Sequence, residues 1–451
     1  MRNLLFFQLC EVIFRKMLFS LFLFPMLVFC ISCSSVKRFN RNIEKTFTTD
    51  PVFENGFAGF ALYDPVKEEF LYTHNAGKYF TPASNTKLFT FYTGLKILGD
   101  SVPALQYTYK GDSLVFTGTG DPSFLNPKLP ESNVLSFLRN SGKKLYYLPP
   151  VYTEKYLGPG WAWDDYDAYY SAERTVFPVY GNLVNFKFGT RDTLPQIYPE
   201  AFRDSLFILK RIPKDDNIGR SIESNKFTYQ NFPRPEEDEQ NVPLKFSSAL
   251  LVNLLSDTLH KEVKILKAKP QQLQLNKTLY SIPADSMYKR MLEVSDNFIA
   301  EQILLMAAHK ISDTLKTRIA IDYMKEHYLK DLPDEPMWYD GSGLSRYNLF
   351  TPRTMVKLLE KILAEVPQEK LFSMMATGGK SGTLENYYKA EEPYLFAKTG
   401  TLRNNHSLSG YIKTDSGRVL IFSFMNSNYT VPSSSLKREM EEIIQIVKEK
   451  Y

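Results

Sequence analysis

The chain has 451 residues, of which 43% are hydrophobic, 14% aromatic and 23% charged, with a formal net charge of +5. That composition excludes a disordered or low-complexity chain, and the length exceeds what one core usually holds, so two or more domains are expected. The small positive balance, with no Lys/Arg stripe interleaved with aromatics, excludes nucleic acid as an expected partner and favours an anionic polymer only as a nonspecific bias.

At the N-terminus, Arg15 and Lys16 precede MLFSLFLFPMLVFCISC, the charge, apolar core and small-residue order of a secretory signal; Met17 begins a more ordinary one than Met1. Residues 31–34, ISCS, are similar to a bacterial lipoprotein signal in which Cys33 becomes the lipidated first residue. An uncleaved membrane anchor is the competing reading, because the run is near bilayer-spanning length. Either way the expectation is an exported, periplasmic protein held at the envelope, with a membrane contact through a lipid on Cys33 in the first case. Cys10, Cys30 and Cys33 are the three cysteines, so the exported part has neither a disulfide nor a thiolate. His74, His260, His309, His327 and His406 show no H-x-x-x-H or H-E-x-x-H spacing. No metal or other cofactor is expected, and any hydrolysis must come from a serine.

Residues 57–63 and 69–73 read as strands around the turn Asp64-Pro65-Val66-Lys67. TPASNTKLFT, residues 81–90, follows. It sets Ser84 and Lys87 three apart at the start of a helical apolar run, Leu88, Phe89, Tyr92, Leu95 and Leu98. On a helix these two share a face, so a lysine amine can lie beside a serine hydroxyl, and it becomes a base once desolvation or nearby cations lower its pKa.

Residues 101–243 are mostly short aromatic-rich strands with Gly, Pro and Asp turns, as at 107–109, 113–117 and 183–188. PRPEEDEQNVP, residues 233–243, reads as a solvated loop at the edge of this region. Helical periodicity returns over 248–259, with Leu251, Leu254, Leu255 and Leu259 in one stripe, and the chain is expected to rejoin its first domain there. The predicted organisation is a signal segment 1–33, a domain formed by 45–100 and 244–451, and an inserted β-rich domain 101–243.

Ser295-Asp296-Asn297 opens a second apolar helix, and helices are predicted over 317–328 and 352–363, the latter entered through Thr351-Pro352. Lys398-Thr399-Gly400 ends an apolar strand-like run, a hairpin joins 409–414 to 418–424, and an amphipathic helix covers 434–450. Strands at both ends with helices between predict an α+β fold, one antiparallel sheet flanked by helices.

Each of SNTK, SDN and KTG alone is an ordinary helix start or strand end. Their order, each at an element boundary, is that of penicillin-binding proteins and class A β-lactamases. With GTGDPSF (118–124), GPGWAWDD (158–165), YDGSGLSRYN (339–348), GGKSGTL (378–384) and the long interval after S-x-x-K, the exported part resembles the class C low-molecular-mass penicillin-binding proteins, the D-alanyl-D-alanine carboxypeptidase/endopeptidase family. The resemblance implies a β-lactamase/transpeptidase-like domain split by an insertion, acting on peptidoglycan stem peptides and binding β-lactam antibiotics. By residue type, Ser84 is the nucleophile and Lys87 its base, while Ser295, with Asn297 beside it, relays a proton to the leaving amine. Lys398 is expected to bind a terminal carboxylate and to lower the Lys87 pKa by repulsion, with Thr399 bonding the same carboxylate. Gly400 is expected to let substrate lie along its strand. The resemblance further implies an oxyanion hole from the backbone N–H groups of Ser84 and Thr401, and contacts from Asp164, Asp165, Tyr169 and Arg346 to the zwitterionic end of a diamino-acid side chain. Two alternatives remain open: a serine β-lactamase, disfavoured by the absence of an E-x-x-L-N context between SDN and KTG, and a catalytically idle penicillin-binding scaffold.

Overall fold

The computed structural model describes residues 41, 43–209, 218–230, 236–267 and 273–451. The segment 1–33 expected to be a signal, with its three cysteines, lies outside the described residues.

The fold is mixed α/β. A six-stranded sheet runs in the order Ala376–Thr377, Leu395–Leu402, Asn405–Lys413, Val419–Ser427, Phe57–Asp64, Glu69–His74, and every neighbouring pair is antiparallel. The C-terminal hairpin thus closes onto the N-terminal strand, with Phe60 opposite Phe424. Both faces are covered, and the two-residue period of a strand shows which residue goes where. Phe60, Leu62, Phe422 and Phe424 meet Leu436, Met440, Ile443 and Val447 of helix Ser433–Lys450. Ala61, Ile421 and Met425 face the other way, against helices Lys87–Ile97, Asn297–Ser312 and Pro352–Glu365. Helix Pro352–Glu365 starts as predicted, because Thr351 accepts from the Thr354 amide and Pro352 needs no donor at the first position.

The region between the two halves is largely β, and its core is a separate cluster that includes Leu105, Phe116, Phe177, Phe186 and Phe227. Its five-stranded sheet runs Val263–Ile265, Lys144–Tyr147, Ser113–Gly118, Ser101–Lys110, Lys277–Pro283. Two of those strands lie beyond residue 243, and Leu251, Leu254, Leu255 and Leu259 of helix Ser248–Leu259 join the same core. The boundary expected at 244 is therefore too early. The chain returns at helix Ala284–Glu293, whose Met287, Tyr288 and Met291 enter the cluster under the main sheet. Periodicity located the 248–259 helix correctly but does not say which core its stripe joins.

A second correction concerns 233–243. Asp238–Pro243 is a strand paired antiparallel to Leu183–Phe188, with Asn241 opposite Asn185. Its charges read as a loop because it is an edge strand, where exposed charged side chains are normal.

Candidate active site

Ser84 sits in a 3-10 turn, Ala83–Thr86, that runs directly into helix Lys87–Ile97. Ala83 is held at φ 47°, a strained backbone for a residue with a side chain, and the surroundings enforce it. Thr86 donates to the Ala83 carbonyl at 2.9 Å, and Asn85 donates to the carbonyls of Lys398 and Ser407 at 3.0 and 3.2 Å. The nucleophile turn is thereby fastened to the KTG strand. From the other side Gly343, at φ 85°, lies so close that a Cβ would be 1.9 Å from the Ala83 oxygen.

Lys87 is completely buried. Its Nζ donates to Asn297 Oδ1 at 2.6 Å, to the Ser342 carbonyl at 2.7 Å and to Ser84 Oγ at 2.9 Å. Burial pushes its pKa down to about 7, against the opposing pull of Asp340, Asp296 and Glu301. A neutral amine has two hydrogens and one lone pair. Asn297 Oδ1 and the Ser342 carbonyl only accept, so they take the hydrogens and leave the lone pair facing the Ser84 hydroxyl. The Asn297 amide orientation follows from its other end, which donates to the Tyr170 carbonyl at 3.0 Å.

The second lysine is paired differently. Lys398, also fully buried, donates to Ser295 Oγ at 2.8 Å and to the Thr399 carbonyl at 2.7 Å. Burial, and then the charge of Lys87, hold its pKa well below the usual lysine range. The depression of Lys87 comes first from burial, and the mutual repulsion of the two lysines acts in the same direction. Ser295 stands at φ 67° and Asp296 caps helix Asn297–Ser312 by accepting from Ile299, so the motif turns sharply enough to send Ser295 to one lysine and Asn297 to the other.

A cavity of about 1140 Å³ lies in front of these groups. Ser84, Ser295, Asn297, Thr401, Arg346 and Asp165 line it, and so do Asp164 and Tyr169. Lys87, Lys398, Thr399 and Gly400 do not; the two lysines lie beneath its floor, bonded to Ser84 and Ser295. Thr399 donates to the Thr383 hydroxyl at 2.7 Å, and Thr383 reaches the cavity. KTG lies inside strand Leu395–Leu402 rather than at its end. A Cβ at Gly400 would meet the Pro82 carbonyl at 2.5 Å and the Ser84 nitrogen at 2.8 Å, so its bare α-carbon admits the turn that carries Ser84. Thr401 Oγ1 is 2.8 Å from Nδ1 of buried His406, whose pKa burial pushes down to about 3, keeping the ring neutral.

Of the specificity candidates, Asp165 accepts from the Tyr170 hydroxyl at 2.8 Å, whereas Asp164, Tyr169 and Arg346 are exposed at the cavity wall. Tyr170 and Ser342 carry site contacts that sequence reasoning did not single out, as do Glu301 and Arg174 beneath them. The available signal was a charged and an amide residue, Glu301 and Gln302, inside the apolar run FIAEQILL, since buried polar groups need partners.

This fold and site are those of an active-site serine enzyme, with Ser84, the buried lysine beside it and a second serine–lysine pair converging on one cavity. The sequence matches the D-Ala-D-Ala carboxypeptidase 3 (S13) family over residues 39–189 and 240–450, and the chain belongs to that family, the class C low-molecular-mass penicillin-binding proteins. It is 22% identical over 452 residues to D-alanyl-D-alanine carboxypeptidase DacB of Haemophilus influenzae, covering 91% of this chain and 93% of that one. It is 24% identical over 439 residues to the D-alanyl-D-alanine carboxypeptidase of an Actinomadura species, covering 85% and 80%. The crystal structure of penicillin binding protein 4 (dacB) from Haemophilus influenzae superposes with a TM-score of 0.72 at 20% identity, over 90% of this chain and 99% of that one, which shows the shared fold.

Proposed function

We propose that this protein is a serine-type D,D-peptidase that opens the D-alanyl-D-alanine or cross-link peptide bond of peptidoglycan stem peptides and is acylated by β-lactams. The observation that carries the reading is the fully buried Lys87 amine, 2.6 and 2.7 Å from two groups that only accept and 2.9 Å from Ser84 Oγ, a placement in which the neutral amine turns its lone pair to Ser84. Ser84 Oγ attacks the carbonyl carbon and passes its proton to Lys87. The backbone N–H groups of Ser84 and Thr401 receive the oxyanion, each such donor being worth on the order of 10² to 10³ in rate. The C–N bond then breaks; Ser295 Oγ gives its proton to the leaving amine and is replenished by the proton that Lys87 took from Ser84, which returns Lys87 to its neutral form, while Lys398 supports Ser295 from below. Water attacks the Ser84 ester in the second half-reaction, releasing the acid and restoring the hydroxyl.

The Thr383 hydroxyl, which accepts from Thr399 and so keeps its own hydrogen for the cavity, favours a carboxylate at the substrate's end. Asp164, Asp165, Tyr169 and Arg346 face the same cavity and offer an acidic and a bidentate cationic partner to a zwitterionic side chain on the stem peptide. The N-terminal sequence supports export to the periplasm and anchoring through a lipid on Cys33.

Labelled penicillin followed over time tests the reading. One label per chain at Ser84, released slowly, is expected; fast release would make the protein a β-lactamase, and no label would make it an idle domain. Mass spectrometry of a peptidoglycan digest then distinguishes loss of terminal alanine from opening of cross-links.

A further inference from the structure

Below the cavity floor, helix Asn297–Ser312 carries Glu301 one turn beyond Asn297, fully buried among apolar neighbours. Its Oε1 accepts from the amides of Gly341 and Ser342 at 2.9 and 2.7 Å. Its Oε2 accepts from Arg174 Nη1 at 3.3 Å. Arg174 comes from the inserted region and is itself fully buried. It also donates through Nη2 to the carbonyls of Lys155 and Leu157, at 2.8 and 3.2 Å, and lies 3.6 Å from the Glu154 carboxylate.

Burying a carboxylate and a guanidinium is costly, and apolar groups of the same volume commonly hold a core as well or better, so stability alone does not account for the pair. What the pair fastens is one carbonyl. Glu301 holds the amide of Ser342, and Asp340 Oδ1 holds the next amide, that of Gly343, at 2.9 Å. The Ser342 carbonyl between them is thereby fixed from both sides, and it is the group that takes a hydrogen from Lys87. The same inserted segment supplies the Tyr170 carbonyl that orients Asn297, the other acceptor of Lys87.

We propose that Glu301 is a positioning residue for the base: by holding the Gly341 and Ser342 amides it aims the Ser342 carbonyl at Lys87 Nζ, and Arg174 of the inserted region keeps the Glu301 carboxylate in that pose. This rests on the reading of Lys87 as the base of Ser84. The inserted region is on this account part of the catalytic apparatus as well as a wall of the cavity. The charged groups around Lys87 are Asp296 and Glu301 from the SDN motif and its helix, Asp340 from the DGSG loop, and Lys398 from the KTG strand.

The experiment measures, for the full exported chain, the acylation rate constant with labelled penicillin, its pH midpoint, the dissociation constant of the initial complex and the melting temperature. Glu301→Asp keeps the charge beside Arg174 but is one methylene too short to reach both amides. It is expected to lower the acylation rate about 10- to 100-fold, the scale of a misplacement near 1 Å. Initial binding stays unchanged, since Glu301 does not line the cavity. Glu301→Gln is expected to lower the rate as well and to move the midpoint to lower pH by the share of Glu301 that is ionised there, because a negative charge favouring protonated Lys87 is gone while burial and Asp340 raise the Glu301 pKa to about 7. A folded Glu301→Asp with the wild-type rate overturns the proposal, as does a loss confined to initial binding or proportional to unfolded protein. If Glu301→Gln does not fold, Glu301→Asp decides. A wild-type chain that takes no label at Ser84 overturns this inference together with the reading beneath it, whereas normal wild-type labelling with unaffected variants overturns the inference alone.

Discussion

The α-carbon of Gly400 presses on the turn that carries Ser84: a Cβ there would lie 2.8 Å from the Ser84 nitrogen and 2.5 Å from the Pro82 carbonyl. The third residue of KTG and the first of S-x-x-K are thus one packing unit, tied further by Asn85, which donates to the Lys398 carbonyl.

Gly400→Ala is therefore expected to push the nucleophile turn off its strand. The clash is with backbone, which cannot swing aside, so acylation should fall about 10²-fold, with an overpacking cost of about 1–3 kcal/mol in stability. A stopped-flow acylation rate and a urea titration read both quantities. An unchanged rate would show that the contact is slack.

The pH dependence follows from Lys87. With its pKa pushed down to about 7, acylation should rise with pH and reach half its plateau near pH 7. Lys87→Met should lose about 10² to 10⁴ in rate, the range of a general base. The stability linkage has a definite sign. Unfolded, Lys87 keeps its proton up to about pH 10.4, whereas the folded chain releases it near 7, so between those limits the unfolded state binds more protons and stability rises with pH. Urea midpoints at pH 6.5 and 9 check this: the wild-type gain should shrink in Lys87→Met, and an equal gain would place the titration elsewhere.

Arg346 is exposed at the cavity wall, and no hydrogen bond or ion pair engages its guanidinium among the described residues. Arg346→Ala should lower kcat/KM about 10-fold or more for a stem peptide bearing a zwitterionic side chain, and leave penicillin acylation nearly unchanged. Asp164→Asn is the matching test on the acidic side, because Asp165 also bonds Tyr170 and would disturb Asn297 indirectly. Equal losses on peptide and penicillin would move Arg346 from recognition to support of the site.

Cys33→Ser is expected to free the protein from the membrane fraction if a lipid on Cys33 is the anchor. Fractionation of cells expressing each form decides it, and continued membrane association would favour an uncleaved apolar segment.

The sequence by itself was enough for the elements and the chemistry that are local in the chain. A 3.6-residue stripe located helix Ser248–Leu259 to the residue, alternation located strand Leu183–Phe188, and three short motifs singled out the nucleophile, both lysines and the SDN pair. These are legible because i, i+3 and strand-alternation relations are fixed by backbone geometry before any tertiary contact forms.

Only the tertiary structure decided what depends on which surfaces meet. It showed that the 248–259 stripe packs on the inserted core, that Asp238–Pro243 pairs as an edge strand, and that Gly400 packs on the Ser84 turn. It also divided the two lysines between Asn297 and Ser295 and placed Glu301 and Arg174 under the base. Lys87 and Arg174 are 87 and 174 positions into the chain and converge through helix Asn297–Ser312. No local pattern encodes such a meeting, because the burial that lowers the lysine's pKa and the partners that satisfy a buried carboxylate exist only once the core has closed around them.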